Sequence, residues 1–352
     1  MTPLAPQDTA PLPDSGRAAP PSPEGPGPST GHILLRTALG VLAGLLVLAG
    51  LVWFGGAEKV LAALRSVRPL PLLTAGGLTL TNLALKFTKW HLYLTALGAR
   101  LAPWRSALVF SSGLSMVLTP GRAGELVKCT LLRRQAGTPV AASLPVLLAE
   151  RVTEGVALVA LALVPILAGP TRRAFPYALS WILAFTLIIT AGVVALSGPW
   201  ASRLASALAG RWARLRPLEA AAQRFCSSVR SLLSPALLLP AAGLSVAAWG
   251  AQCLALQALA LSLGHPLGAG LAVLVLSLAS MAGTASFLPA GLGAADASLA
   301  YLLVRTGATP SQGAAAVLLS RLFTVWVPLL LGTVALVVVL TLKGQRHPSR
   351  SG

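Results

Sequence analysis

Long apolar stretches constrain the fold of this chain more than any other feature of its sequence. Charged residues make up only 10% of the 352 residues, against about 25% in soluble domains. A span needs about 20 mainly apolar residues to cross roughly 30 Å of hydrocarbon. The sequence therefore excludes a water-soluble globular domain and predicts an all-α polytopic membrane protein. Helices are predicted near residues 37–55, 71–97, 105–119, 143–168, 176–197, 235–263, 267–287 and 311–342.

Two further apolar segments, 124–134 and 293–305, are too short to span a bilayer. The first follows a Pro/Gly break at Pro120, and the second follows another at Pro289. A short apolar segment after such a break is typical of the return arm of a re-entrant hairpin, because irregular backbone at membrane depth must be covered by protein. We therefore expect about eight transmembrane helices plus two re-entrant hairpins.

The remaining segments are predicted to lie in water or at the membrane surface. Residues 1–31 hold nine prolines and are expected to form a disordered cytoplasmic tail. The transmembrane domain is expected over 35–342, followed by a basic cytoplasmic tail at 343–352. A cytoplasmic loop at 199–234 is expected to contain a surface amphipathic helix, because four apolar residues recur there at helical spacing: Leu204, Leu208, Trp212 and Leu215. Its basic residues either bind anionic headgroups or only set the topology.

The net charge of +18 does not indicate a nucleic-acid partner, because the basic residues flank apolar runs. If the N-terminal tail is cytoplasmic, eighteen Lys and Arg residues fall on the inner side, among them Lys86, Lys89 and Lys128. Six fall outside. The positive-inside rule then predicts a multi-pass protein with both termini in the cytoplasm. The six outer residues are Lys59, Arg65, Arg68, Arg172, Arg173 and Arg305.

An internal repeat relates the halves at about 71–168 and 235–342. On the predicted topology the first hairpin enters from the cytoplasm and the second from outside, so the repeat is inverted. Inverted repeats with Gly/Pro-interrupted segments are typical of alternating-access transporters, with a ligand site near the midplane. Chance similarity between apolar helices is the alternative. The matched pairs lie 169 or 170 positions apart: Pro120 and Pro289, Gly124 and Gly293, Gly137 and Gly307, Arg151 and Arg321.

Seven charged residues fall inside the predicted membrane segments. Each costs about 2.5 to 3.5 kcal/mol at a helix centre, so each must pair or line a wet cavity. One hypothesis is a midplane site in which the arginines receive a phosphate, while the carboxylates orient them or exchange protons. The other is a set of structural ion pairs that lock the hairpins in place. The residues are Arg122, Glu125, Glu150, Arg151, Glu154, Asp296 and Arg321.

The run from Leu118 to Leu126, the Glu150-Arg151 pair, the Pro289 hairpin and Arg321 together resemble the lysylphosphatidylglycerol synthase transmembrane-region family, over about 35–342. The resemblance implies a flippase-like protein of a prokaryotic cytoplasmic membrane, associated with moving phospholipids or polyprenyl-linked glycolipids between leaflets. It also singles out Arg122, Gly124, Glu125, Glu150, Arg151, Gly291, Gly293 and Arg321. With Glu154 and Asp296, which the hypothesis of a midplane site adds, these form the predicted headgroup-binding set.

This chain departs from the family pattern at three positions. The second hairpin of the family usually reads Pro-Gly-Gly and ends in Glu, where this chain has Ala290 and Asp296. The acid after the Glu-Arg pair is often Asp, where Glu154 stands here. Because both positions are still acidic, the site is expected to persist, but the departures leave its headgroup preference open.

We expect a non-enzymatic translocator of an anionic phospholipid or lipid-linked saccharide, without cofactor or metal. No Gly-x-x-x-x-Gly-Lys-Ser/Thr motif occurs in the sequence, so uphill transport would require an ion gradient. One alternative is a non-transporting membrane partner of a separately encoded transferase, and a less favoured one is a membrane-embedded lipid glycosyltransferase. Only ten residues follow Leu342, so no soluble aminoacyltransferase domain and no aminoacyl transfer by this chain are expected.

Overall fold

The computed structural model describes residues 42, 45–99, 101–118, 125–169, 175–197, 206–207, 216–286 and 288–341, and these residues contain helices and turns but no strand. In the first part of the chain the helices are α1 (Leu45–Gly55), α2 (Ala57–Arg65), α3 (Pro69–Ala96), α4 (Pro103–Leu114), α5 (Leu126–Ala136), α6 (Val140–Leu167) and α7 (Ala178–Ser197). In the second part they are α8 (Arg216–Leu232), α9 (Pro235–Ser262), α10 (Ala269–Ala285), α11 (Ala294–Arg305), α12 (Pro310–Arg321) and α13 (Val327–Thr341).

Among the described residues, three helical stretches are clearly long and apolar enough to cross a membrane: Ala178–Ala195, Pro235–Ser262 and Pro310–Thr341. The third consists of α12, a π-helical turn at Leu322–Trp326 and α13. Helices α1 and α2 add a fourth if this pair, bent by 90°, counts as one span. Helices α3 and α6 have 28 residues each, about 42 Å, but both carry charged residues. A helical membrane protein is confirmed, whereas the number of about eight spans stays a prediction.

The predicted helices at 105–119 and 267–287 are shorter than expected. Helix α4 has 12 residues and α10 has 17, which correspond to about 18 and 26 Å. Each packs against the short helix that follows it, α5 or α11. Each of these two helices is therefore the first arm of a helical hairpin. The break of the first hairpin, at 119–124, lies outside the described residues.

A second difference is helix α2, which falls where the sequence predicted an outer loop. The chain turns at Gly55 and Gly56, and Gly56 has a φ of 76°. A Cβ at Gly55 would lie 2.8 Å from Val60 and 3.2 Å from Ala314. The small residue lets α2 fold back, so that Val60 is buried beside α12.

In the 199–234 loop, the four apolar residues that predicted an amphipathic helix lie outside the described residues. A helix is present further along, at α8. Its Cys226, Val229 and Leu232 are buried, and it packs on α6. The apolar side of α8 therefore contacts protein.

The two halves contact each other reciprocally. Helix α3 packs along α9, α4 packs against α13, and α10 packs against α6. Helices α3 and α9 both have 28 residues and end alike, at Gly98 and Gly264 with φ of 71° and 76°. The residue after each glycine donates its N–H to the carbonyl five positions back, at 3.0 and 2.9 Å. Near their crossing, Asn82 Nδ2 donates to the Ala248 carbonyl at 2.6 Å.

Candidate functional site

A cavity of about 690 Å³ lies between the halves and is lined by residues of both. Helices α3 to α7 and α9 to α13 contribute to its wall, together with the break of the second hairpin. All four acidic residues that the sequence placed inside the membrane line this cavity. The charged lining residues are Lys86, Glu125, Lys128, Glu150, Arg151, Glu154, Asp296 and Arg321.

Arg151 is the centre of the charged cluster in the first half. Its Nη2 donates to both carboxylate oxygens of Glu125 at 3.0 Å, and its Nη1 donates to Glu154 Oε2 at 2.8 Å. Glu154 lies one turn along the same helix, whereas Glu125 directly precedes α5. The planar guanidinium thus joins the return arm of the first hairpin to α6.

Two lysines of α3 approach this cluster from the opposite side. Lys86 Nζ lies 3.5 Å from Glu154 Oε1 and 4.8 Å from the centre of the Trp249 ring. Lys89, only 1% exposed, lies 3.7 Å from the same Glu154 oxygen. It also donates to Ser245 Oγ at 3.0 Å. Both lysines were predicted to be flanking charges, although their position within the predicted helix at 71–97 indicated an interior role.

Lys128 of α5 is the third lysine of this cluster and is buried, although the sequence predicted it to be a flanking charge. Its Nζ lies 3.3 Å from Glu150 Oε2 and about 5 Å from the ring centres of Trp90 and Phe110. A Cβ at Gly113 of α4 would lie 2.6 Å from the Lys128 side chain. Because Gly113 has no side chain, the Lys128 side chain can pass close to α4 and reach Glu150 of α6. Lys128 therefore links both arms of the first hairpin to α6.

The second hairpin has a smaller charged centre. Arg321 Nε donates to Asp296 Oδ1 at 2.5 Å, and its Nη1 donates to the Ala290 carbonyl at 3.0 Å. Asp296 also accepts the Gly293 N–H at 2.9 Å. Arg321 therefore links α12 to the break and to the return arm of the second hairpin.

The glycines of the predicted set meet backbone requirements. Gly291 has a φ of 65°, and a Cβ there would lie 3.1 Å from Gly283 Cα on the other arm. Gly293 has a φ of 91°, and its N–H is bound by Asp296. Gly291 lines the cavity. The other two residues of the predicted set, Arg122 and Gly124, lie outside the described residues.

The cations of the cavity differ in how open they are. The Arg151 side chain is 36% exposed and that of Lys86 is 20% exposed, against 12% for Arg321. Among the described cations that line the cavity, Arg151 and Lys86 are therefore more exposed than Arg321. Within the part of the chain that the structure describes, no group of three or more His, Cys, Asp or Glu residues could hold a metal ion.

An apolar wall extends from the charged cluster to the surface of the bundle. Phe185, Ile188 and Ile189 of α7 line the cavity. Ile188 is 60% exposed. Leu288, at the break of the second hairpin, is 43% exposed. The cavity therefore joins a charged interior to the apolar outer surface.

Comparison of the sequence with known proteins identifies the family of this chain. The profile described as "Lysylphosphatidylglycerol synthase TM region" matches residues 41–332, most of the chain. A search of curated proteins found no match. The charged residues that line the cavity all fall within the matched region. This chain therefore belongs to the lysylphosphatidylglycerol synthase transmembrane-region family and is an integral membrane protein linked to lipid metabolism.

Proposed function

We propose that this protein binds the anionic headgroup of a phospholipid or polyprenyl-linked lipid in the central cavity and moves that lipid between leaflets. The observation that carries the proposal is the continuity of the cavity. It runs from the open cations Arg151 and Lys86 to an apolar rim at Ile188 and Leu288. A charged end suits a phosphate, and an apolar rim at the lipid-facing surface lets acyl chains remain in the bilayer.

Arg151 and Lys86 both bind the phosphate, through different kinds of contact. The guanidinium has five N–H donors in a planar fork that matches phosphate oxygens, whereas the ammonium acts as a compact point charge. Both groups contact Glu154, through its two oxygens. They therefore lie close enough to share one bound anion.

The arrangement of the halves supports movement of the lipid rather than binding alone. The reciprocal contacts of α4 with α13 and of α10 with α6 are those expected of an inverted repeat. In such proteins one repeat moves against the other around a midplane site. We place the protein in a prokaryotic cytoplasmic membrane with both termini inside. The proposed role is transport without catalysis, driven by an ion gradient or by the lipid gradient.

Leaflet exchange in proteoliposomes tests the proposal. Purified protein is reconstituted with a fluorescent phosphatidylglycerol, a fluorescent phosphatidylcholine or a fluorescent polyprenyl phosphate, and a membrane-impermeant quencher reports the outer leaflet. We expect exchange of at least one anionic lipid by the parent and only background exchange by folded Arg151→Ala. Arg134→Ala is the matched control, because Arg134 is an exposed arginine of α5.

The outcomes separate the competing functions. Exchange that Arg151→Ala leaves intact would contradict the site. No exchange of any lipid by the folded parent would favour the non-transporting partner of a separate transferase.

A further inference from the structure

We infer that Glu154 is a resident counter-ion that the headgroup phosphate displaces, and that Lys89 receives its carboxylate when the site is loaded. This inference rests on the proposed function. In this inference Glu154 competes with the headgroup for the same cations. Lys89 is a positioning residue that the lipid does not touch.

The first observation is that Glu154 pairs with Arg151 and Lys86, which are more exposed than Arg321 among the described cations that line the cavity. Its Oε2 lies 2.8 Å from Arg151 Nη1, and its Oε1 lies 3.5 Å from Lys86 Nζ. A carboxylate that bridges a guanidinium and an ammonium has the charge and the span of one edge of a phosphate. A carboxylate of the chain itself therefore already lies where the phosphate is proposed to bind.

The second observation distinguishes Glu154 from the other two carboxylates of the cluster. Glu125 receives two bonds from Arg151 Nη2 and also lies 3.6 Å from Lys128. Glu150 is buried against Lys128. Both link the first hairpin to α6, whereas Glu154 contacts cations of α3 and of its own helix. Exchange of these ion pairs leaves in place the Glu125 and Glu150 contacts that join the hairpin to α6.

The third observation is the position of Lys89. Its Nζ lies 3.7 Å from Glu154 Oε1 but is 1% exposed and does not line the cavity. Bonds to Ser245 and Thr153 hold the ammonium in place. A displaced carboxylate left unpaired at this depth would be costly, and a small rotation toward Lys89 keeps it paired.

Binding measurements on four variants test this inference. The probe is a short-chain phosphatidylglycerol titrated into purified full-length protein in maltoside micelles, with glycerol phosphate as the arm that lacks acyl chains. We expect Glu154→Gln to bind about tenfold tighter, equivalent to about 1.4 kcal/mol. Glu154→Asp, which keeps the charge but shortens the reach, is expected to bind several-fold tighter as well.

Glu125→Gln is the matched control, since it removes the same charge from the same arginine. Simple electrostatics predicts an equal gain for Glu125→Gln, whereas displacement predicts no gain. Lys89→Met is expected to weaken binding several-fold, because the carboxylate loses its alternative partner. A monodisperse elution profile and an unchanged Tm establish that each variant is folded.

Each result decides something. Unchanged or weaker binding by both Glu154 variants, or an equal gain for Glu125→Gln, overturns the inference and leaves the headgroup site standing. Absence of phosphatidylglycerol binding by the parent and by Glu154→Gln removes phosphatidylglycerol as the lipid of the proposed function, and it removes the inference for that headgroup. If glycerol phosphate bound as tightly as phosphatidylglycerol, the site would be one for a soluble phosphate.

Discussion

The two halves carry an arginine at matched positions, Arg151 and Arg321, and both line the cavity, but the Arg151 side chain is more exposed than that of Arg321. Arg151 and Arg321 each pair with an acid on the return arm of the preceding hairpin, Glu125 or Asp296. Around Arg151 there are further glutamates and three lysines, and its side chain is 36% exposed. Arg321 instead bonds the backbone of its own hairpin at Ala290. The same kind of ion pair therefore fixes the hairpin in the second half, whereas in the first half it leaves the arginine exposed in the cavity.

The helices that precede each hairpin account for much of this difference. Counted back from Gly98 and Gly264, Lys86 of α3 stands where α9 has Gln252, and both residues line the cavity. By the same count, Lys89 corresponds to Ala255, which is buried without charge. One half thus supplies cations that the other half lacks, and the cavity is asymmetric in charge although its frame is repeated.

The largest effect is expected on stability in the second half. Asp296→Ala leaves the Arg321 guanidinium without its carboxylate, and removal of one partner of a buried pair costs about 3 to 5 kcal/mol. Glu125→Ala should cost less, because Arg151 keeps Glu154. Thermal unfolding of both variants in the same detergent checks the order. A larger loss for Glu125→Ala would contradict the assignment of the second pair to structure.

The next effect concerns activity in the first half. Arg151→Lys keeps the charge but loses the fork that contacts Glu125 and would contact phosphate. Charge-assisted hydrogen bonds contribute about 1.5 to 3 kcal/mol, so lipid exchange should fall roughly 10- to 100-fold. Arg321→Lys should lower Tm with a smaller effect on exchange. Equal loss of exchange in the two folded variants would show that the halves share the function.

A smaller effect should separate the two reciprocal contacts between the halves. A Cβ at Gly332 of α13 would lie 2.2 Å from the Ser115 backbone nitrogen, next to α4. At the α10 and α6 contact, a Cβ at Gly270 would lie 3.6 Å from Pro165, an ordinary distance. Gly332→Ala should therefore cost about 1 to 3 kcal/mol, and Gly270→Ala should change stability by less than about 0.5 kcal/mol. Unfolding of the two variants side by side tests this asymmetry.

The smallest effect is expected at the break of the second hairpin. Ala290 has a φ of 51°, in the left-handed region that costs a residue with a Cβ about 1 to 2 kcal/mol. Ala290→Gly removes this strain but makes the unfolded chain more flexible, so a net gain of about 0.5 kcal/mol is expected. A rise in Tm without a change in lipid exchange would agree with a purely structural break. A fall in Tm would show that the alanine methyl group is needed.

Sequence patterns predicted the long helices well. Helices α3, α6 and α9 begin and end within a few residues of the predicted limits, because a long apolar run is helical wherever its backbone must bond internally. Short elements were harder to predict. Helix α2 depends on the close packing of Gly55 against Val60 and Ala314, a contact between distant parts of the chain that no local pattern contains.

The sequence by itself determined that a few acids and arginines inside apolar helices must be satisfied within the protein, because their transfer cost depends only on residue type and depth. Only the tertiary structure decided which partners they have. Lys86, Lys89 and Lys128 look like ordinary flanking charges until α3, α5 and α6 pack together and enclose them. Arg151 and Arg321 look equivalent in the sequence, and they differ because α3 brings lysines to one of them while a hairpin backbone covers the other.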